Sequence, residues 1–241
     1  MSISKEDIIC IIPARGGSKG LPRKNVKKIN NEHLISRPIR HAIESNAIGT
    51  IIVSTDDPEI AEIAKQSGAI VPFLRPNHLA QDLTTTEDTL QHALISYEDL
   101  VKKKFELAVF LTATDIFRNP NWISQAIEKI KNHPDIESVF SGHRTHKNFW
   151  EQQEDGTWIR VRDWMKEYSS RQIRRTIVRE DTGIASVSRA WLWRDGRRIG
   201  DKVLILVNDD DFTGIDIHHE EDLQLANCAI KIRSDLNSTK N

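Results

Sequence analysis

Apolar residues in this chain take turns between two patterns, short unbroken runs and stretches with an apolar residue at every third or fourth position. Ile8, Ile9, Cys10, Ile11 and Ile12 form the first run, and a run with no polar residue suits a strand covered on both faces, as in parallel sheets. Ile35, Ile39, Ala42 and Ile43 then recur at helical spacing. Continued along the chain, the patterns predict strand 8–12, helix 35–46, strand 50–54, helix 58–67, strand 70–73, helix 84–102, strand 107–112 and helix 120–132. Strands alternating with helices in this way predict an α/β fold, a three-layer doubly wound domain around a mostly parallel sheet. Ligands of such sheets bind beyond the carboxyl ends of the strands, where the loops 13–25, 55–57, 74–82 and 112–118 emerge. From Ser138 the rhythm changes, and it resumes with strand 203–207, a loop through Asp209-Asp210-Asp211 and a helix from about Glu220 to Ile232.

The first strand opens straight into Pro13-Ala14-Arg15-Gly16-Gly17-Ser18-Lys19-Gly20-Leu21-Pro22-Arg23-Lys24-Asn25. Glycines let anionic oxygens approach main-chain N–H groups, and Arg15, Lys19, Arg23 and Lys24 supply positive charge, so the loop suits the phosphates of a nucleoside triphosphate. The chain lacks both G-x-x-x-x-G-K-[ST] and G-x-G-x-x-G at this place, which argues against kinase-type ATPases and dinucleotide-binding dehydrogenases. The plain alternative is a basic surface turn.

Composition narrows the partners. In 241 residues, 34 Lys and Arg balance 35 Asp and Glu, so nothing marks the chain as a whole for nucleic acid or a membrane surface. Cys10 and Cys228 are too few for a disulfide scaffold and read as reduced core thiols. The polar start Met-Ser-Ile-Ser-Lys-Glu-Asp does not resemble a signal peptide, and a cytoplasmic protein is expected. Trp150, Trp158, Trp164, Trp191 and Trp193, five of the six tryptophans, crowd one stretch that carries the hairpin-turn signal Glu154-Asp155-Gly156; they suit either an interface or an ordinary core.

The loop Ile12 to Asn25 resembles the signature loop of the acylneuraminate cytidylyltransferases, the CMP-sialic acid synthetase family. Val53-Ser54-Thr55-Asp56-Asp57, Leu74-Arg75-Pro76 with Leu79-Ala80-Gln81-Asp82, and Gly214-Ile215-Asp216-Ile217 with Glu220-Glu221-Asp222-Leu223 follow in that family's order, so the similarity covers nearly the whole chain. It implies a Rossmann-like nucleotidyltransferase fold in a single domain, 1–241, with a small dimerisation and acceptor-binding insertion at about 141–182. It also implies transfer of CMP from CTP to a 2-keto sugar acid, with Mg²⁺ as cofactor and a homodimer as the working form. Ala14, Arg15, Ser18, Lys19, Lys24, Asn25, Arg75, Ala80 and Asp82 match nucleotide-binding positions, with Lys19 and Arg15 stabilising charge and Asn25 pinning the loop. Lys147, Arg171, Gln172 and Arg179 fall where relatives hold the sugar acid. On the residues alone, Arg75 also suits a surface ion pair, and Arg171, Arg174, Arg175 and Arg179 a solvated basic helix face.

Two departures from the family pattern bear on the metal. Asp216-Ile217-His218 stands where relatives have Asp-Ile-Asp, and Thr112-Ala113-Thr114-Asp115 adds an acid at Asp115. Magnesium prefers oxygen ligands, so the expectation is that Asp216 and Asp115 hold it while His218 accepts the attacking hydroxyl's proton. His218 and His219 as packing residues at a strand-to-helix junction are the bland alternative. Glu220, Glu221 and Asp222 suit the positive end of a helix better than catalysis. Competing functions are transfer to an octulosonate or diamino-nonulosonate, a sugar 1-phosphate transferase using UTP, and a silent nucleotide-binding protein.

Overall fold

The computed structural model describes residues 3–170 and 172–238. After β1 (Ile8–Pro13) a small hairpin, β2 (Lys28–Ile29) and β3 (Glu32–His33), leads into α1 (Ser36–Glu44). Then come β4 (Thr50–Ser54), α2 (Pro58–Gln66), α3 (Thr86–Val101), β5 (Leu107–Phe110) and α4 (Pro120–Asn132). The remainder is β6 (Ser138–Thr145), β7 (Trp150–Gln152), β8 (Trp158–Arg160), β9 (Ile177–Glu180), β10 (Ser186–Arg189), α5 (Ala190–Arg194), β11 (Val203–Asn208) and α6 (Glu220–Ser238).

The strand order is β11-β6-β10-β5-β1-β4, with β9 also paired to β6. Parallel pairing of β1 with β4 and β5, and of β11 with β6, sets five strands in one direction; β9 and β10 run against them. This is the mixed, mostly parallel sheet that the alternation of patterns predicts. Side chains alternate across β1. Ile8, Cys10 and Ile12 join a core with residues of α1, α2, α4 and α6, whereas Ile9 and Ile11 join a second core with residues of α3 and α5. Both faces of β1 are therefore closed, and the chain can open only at the strand ends.

Sequence chemistry places the helix starts at that end. Asp57 caps α2 by accepting from the amides of Glu59 and Ile60, with Pro58 in the first turn. Thr85 caps α3 in a reciprocal box with Asp88, and Asn119 followed by Pro120 opens α4.

Three expectations are corrected. Residues 70–73 form no strand: Ile70 makes one isolated parallel bridge to Ile52, and Pro72, without an N–H, cannot extend the ladder. Cys228 is exposed on α6, because only one face of that helix packs on the core; Cys10 is buried as expected. Arg174, Arg175 and Arg179 share no helix, since Arg179 lies on β9. The turn at Glu154-Asp155-Gly156 does connect a hairpin, β7 with β8. Among the described residues no helix is long and apolar enough to cross a membrane.

Candidate functional site

The loop after β1 folds back over the ends of β1 and β4. The Ala14 amide donates to the Ser54 carbonyl (2.9 Å) and the Gly16 amide to Asp56 Oδ1 (3.0 Å). Asn25, buried, donates to the Arg15 carbonyl at 2.9 Å, which pins the loop across its base. At the far rim Arg15 and Lys19 both reach Asp82, at 3.2 Å and 2.5 Å. The Lys19 contact is the foremost cause that holds the Asp82 carboxyl below its ordinary range. Solvated pairs of this kind exchange readily for a more highly charged anion. Ser18 lies on the same loop, and Ala80 closes a short turn two residues before Asp82.

Arg75 is no surface ion pair. It is 5% exposed, donates from Nε to Ser54 Oγ (3.0 Å) and from Nη2 to the Ser54 carbonyl, and burial pulls its guanidinium down to about 10. It lines a cleft of about 200 Å³ with Pro13, Arg15, Asp82 and Thr85, so it both fixes the β4 end and forms one wall.

Behind the loop sits a cluster of carboxylates. Asp115 and Asp216 pair their backbones in an isolated antiparallel bridge. Asp216 accepts from His218 Nε2 at 2.8 Å through Oδ2, while its Oδ1 is buried without a hydrogen-bond partner among the described residues. A carboxylate can only accept, so the imidazole carries its hydrogen on Nε2 and leaves Nδ1 as the free acceptor. Asp216 makes only an isolated bridge and His218 and His219 lie in a bend, yet the turn still brings Asp216 and His218 together. Burial raises the Asp115 carboxyl to about 6; Arg118 opposes the rise, and Asp216 and Asp181 add to it. Lys24 faces the cluster, donating to the Ile217 carbonyl (3.0 Å), and burial lowers its ammonium against the pull of Asp216.

Two glycines allow this closeness. A Cβ on Gly183 would fall 2.1 Å from Asp115 Oδ2, and one on Gly20 would fall 2.6 Å from the His218 carbonyl.

A cleft of about 770 Å³ opens beside the cluster, lined by Lys147, Arg174, Arg179 and the histidines His143 and His146, among others. Arg179 lines the cleft; its hydrogen bond to Asp181 is the main cause that raises its pKa, with Asp115 and Asp216 as the least of the contributors. Its Nε and Nη2 are held by Asp181 at 2.8 and 3.0 Å, so one edge of the guanidinium remains for a ligand. Gln172 is exposed and absent from the lining, and Arg171 lies outside the described residues. Asp181, Arg174, Arg118 and Gly183 escape sequence reading as site residues; Arg174, Arg118 and Gly183 act through contacts between segments far apart in the chain, whereas Asp181 holds Arg179, two residues away. Asp222, by contrast, accepts from the amides of His218 and His219 (2.9 and 2.8 Å), which is the structural part its place at a helix start suggests.

Arg118 is the hidden support of the site. It is 4% exposed and donates to the carbonyls of Thr112 (2.8 Å), Gly183 (2.6 Å) and Ile184, with His41 Nδ1 at 3.4 Å from Nη1. Burial, followed by the charge of Arg118, drives His41 down to about 2. The unfolded chain therefore takes up a proton below pH 6.5 that the folded protein refuses, and this contribution to stability, intact above 6.5, is lost as pH falls. Comparison of urea unfolding for the wild type and His41→Gln isolates that proton. The wild type is expected to lose roughly 2 kcal/mol relative to the variant between pH 6 and pH 4.5; a constant difference would refute the assignment.

The molecule superposes on a CMP:2-keto-3-deoxy-manno-octonic acid synthetase complexed with CTP with a TM-score of 0.66 and 13% identity, covering 94% of this chain and 99% of the other. A 4-diphosphocytidyl-2C-methyl-D-erythritol synthase from Anaerococcus prevotii gives 0.62 at 12%, covering 93% and 96%. These establish the fold. In sequence, post-translational flagellin modification protein B of Campylobacter coli is 30% identical over 228 residues, 93% of this chain and 95% of that protein. A CMP-N,N'-diacetyllegionaminic acid synthase of Campylobacter jejuni is 42% identical over 108 residues, 45% of this chain and 46% of its own length. For an N-acylneuraminate cytidylyltransferase of Escherichia coli the figures are 34% over 140 residues, 58% and 32%, so these two matches each span less than half of the relative. Residues 9–185, from the opening strand to the segment where Gly183 meets Asp115, match the cytidylyltransferase profile, and the chain belongs to that family of nucleotidyltransferases.

Proposed function

We propose that the protein transfers the cytidylyl group of CTP to the anomeric hydroxyl of a 2-keto sugar acid of the sialic acid kind, diamino-nonulosonates included. The observation that carries this reading is the position of Arg179, which Asp181 holds in the wall of a cleft where Arg144, Lys147, Arg174 and Arg179 outnumber Asp209 and Asp211. A carboxylate-bearing acceptor in the cleft thus meets a triphosphate on the loop. Relatives named as CMP-legionaminic acid synthase and pseudaminic acid and N-acylneuraminate cytidylyltransferases support the acceptor class.

In this reading the acceptor oxygen attacks the α-phosphorus, the bond from that phosphorus to the bridging oxygen breaks, and pyrophosphate leaves with the electron pair. Arg15, Lys19 and Lys24 offset charge that grows on the phosphate oxygens. The acceptor's proton passes to His218 Nδ1, with Asp216 Oδ2 holding the imidazole from the other side. Lys147, Arg174 and the free edge of Arg179 orient the acceptor's carboxylate.

Asp216 and Asp115 would hold the magnesium ion. Among the described residues no three His, Cys, Asp or Glu side chains are arranged to hold a metal by themselves. Magnesium does not need them, because it commonly takes one or two carboxylates plus substrate phosphates and water. The unpartnered Asp216 Oδ1 and the burial strain on Asp115 fit that donor set. When bound, the ion would neutralise phosphate charge and align the triphosphate.

The working form is read as a homodimer. Trp158 (58% exposed), Ile159 (47%), Tyr168 (70%) and Ile173 (78%) leave much apolar area uncovered around the β7–β8 hairpin, and a second copy would bury it.

Mass spectrometry of reactions with CTP, Mg²⁺ and a panel of ulosonic acids tests the reading. A CMP adduct with a nonulosonate is expected; nucleotide binding without any adduct would mark a silent binder. His218→Asn is expected to cut kcat by about 10²-fold or more while calorimetric CTP affinity stays within a few-fold. Equal losses in both would remove the base role.

A further inference from the structure

A third cleft, of about 490 Å³, lies on the other side of the 112–118 segment, where α1, the entrance to α4 and α6 meet. Arg37, Arg118 and Arg233 line it together with His41, Ile116 and Phe117. None of these residues is placed in contact with the substrates of the proposed reaction; Arg118 acts there only as a support.

The charges of the cleft are only partly answered. Arg233 pairs with Asp210 (2.6 Å) and lies over the rings of Phe117 and Phe212. Arg37 shares Glu32 with Arg40, both at 2.8 Å, and donates from Nη2 to the Ile116 carbonyl (3.3 Å), while its Nε is buried with no hydrogen-bond partner among the described residues. Arg118 donates to carbonyls and makes no salt bridge among the described residues. Glu32 thus serves two guanidiniums, although Arg40 also reaches Glu44 at 3.0 Å. The imidazole of His41 reports the resulting field: after burial, Arg118, Arg40 and Arg37 are what keep it from charging. A donor left unmade in a buried place is costly, and a planar guanidinium offers paired N–H groups that fit a tetrahedral oxyanion.

We infer that this cleft is a second anion site, for a phosphate group, free or carried on a small ester, held by Arg37 and Arg233 against the Arg118 wall. Because Arg118 also grips the Thr112 and Gly183 carbonyls that frame Asp115, the two sites share one wall. The apolar side chains of Ile116, Phe117 and Ile230 give the body of an ester a surface to lie on.

Calorimetric titration of the full chain with inorganic phosphate and, separately, glycerol phosphate tests the site, in the wild type, in Lys24→Met and in Arg37→Gln/Arg233→Gln. Affinity for one of the two probes is expected to survive in Lys24→Met and to fall at least about tenfold in the double variant, the cost of losing charge-assisted hydrogen bonds. Whichever probe binds more tightly identifies the source of the phosphate. Loss in Lys24→Met with retention in the double variant would place all phosphate at the catalytic loop and overturn the proposal. As a measure independent of the variants' folding, the ¹⁵N imidazole signals of His41 in the wild type should move on saturation with phosphate; unmoved signals would also overturn it.

Discussion

Lys24→Met is expected to lower kcat/KM for cytidylyl transfer by about 10³-fold, near the upper end of what a single charge-stabilising group contributes in a water-poor site. Met keeps the aliphatic stem and removes only the ammonium, so packing against the loop survives. What is lost is the one cation of the loop that burial already makes costly to keep charged. That cost is compensated by Asp216 and the Ile217 carbonyl in the free protein, and by phosphate oxygens during the reaction. Lys19, with its side chain 80% exposed, should have the smaller effect, because water screens its charge. Steady-state kinetics of the two variants checks the order. A Lys19→Met defect larger than that of Lys24→Met would move the centre of charge stabilisation to the outer rim.

Arg118→Met should destabilise the protein by about 3–5 kcal/mol, a fall in melting temperature of roughly 6–10 °C for a chain of this size. Two opposing effects decide the sign. Removing a buried guanidinium relieves its desolvation, and a well-packed apolar substitute sometimes makes such a change neutral. Here the partners are three main-chain carbonyls, of Thr112, Gly183 and Ile184, and a thioether can donate to none of them; Gly183 keeps the Thr112 amide as a donor (3.0 Å), so the carbonyls of Thr112 and Ile184 are the ones left bare. Each buried carbonyl left without a donor costs about 1–3 kcal/mol, so the penalty wins. Urea unfolding of wild type and variant measures it; a loss under 1 kcal/mol would show that water or a shift of the loop satisfies those carbonyls instead.

Much of the architecture was legible from local chemistry. Unbroken apolar runs marked β1 and β5, and Asp57-Pro58 and Asn119-Pro120 marked helix starts at the functional edge. The false strand at 70–73 had the right apolar content but one residue, Pro72, that cannot join a ladder. In the site, the loop 13–25 was readable because charge, glycine and strand all lie within one short stretch. Arg118 and Gly183 were not, because they acquire meaning only when segments 65 residues apart meet; Asp181 was not, although its partner Arg179 is two residues away, because sequence does not say that Arg179 lines a cleft. Arg75 shows the same limit, since burial against Ser54 and not its neighbours in sequence decides its state.

The contact of Lys24 with the Ile217 carbonyl and that of Lys27 with Glu220 each bridge 193 residues. Each side of these contacts is thus synthesised 193 residues apart from the other. In the proposed reading, a nascent polypeptide should therefore stay unable to grip CTP in full until the Ile217 segment has left the ribosome and docked.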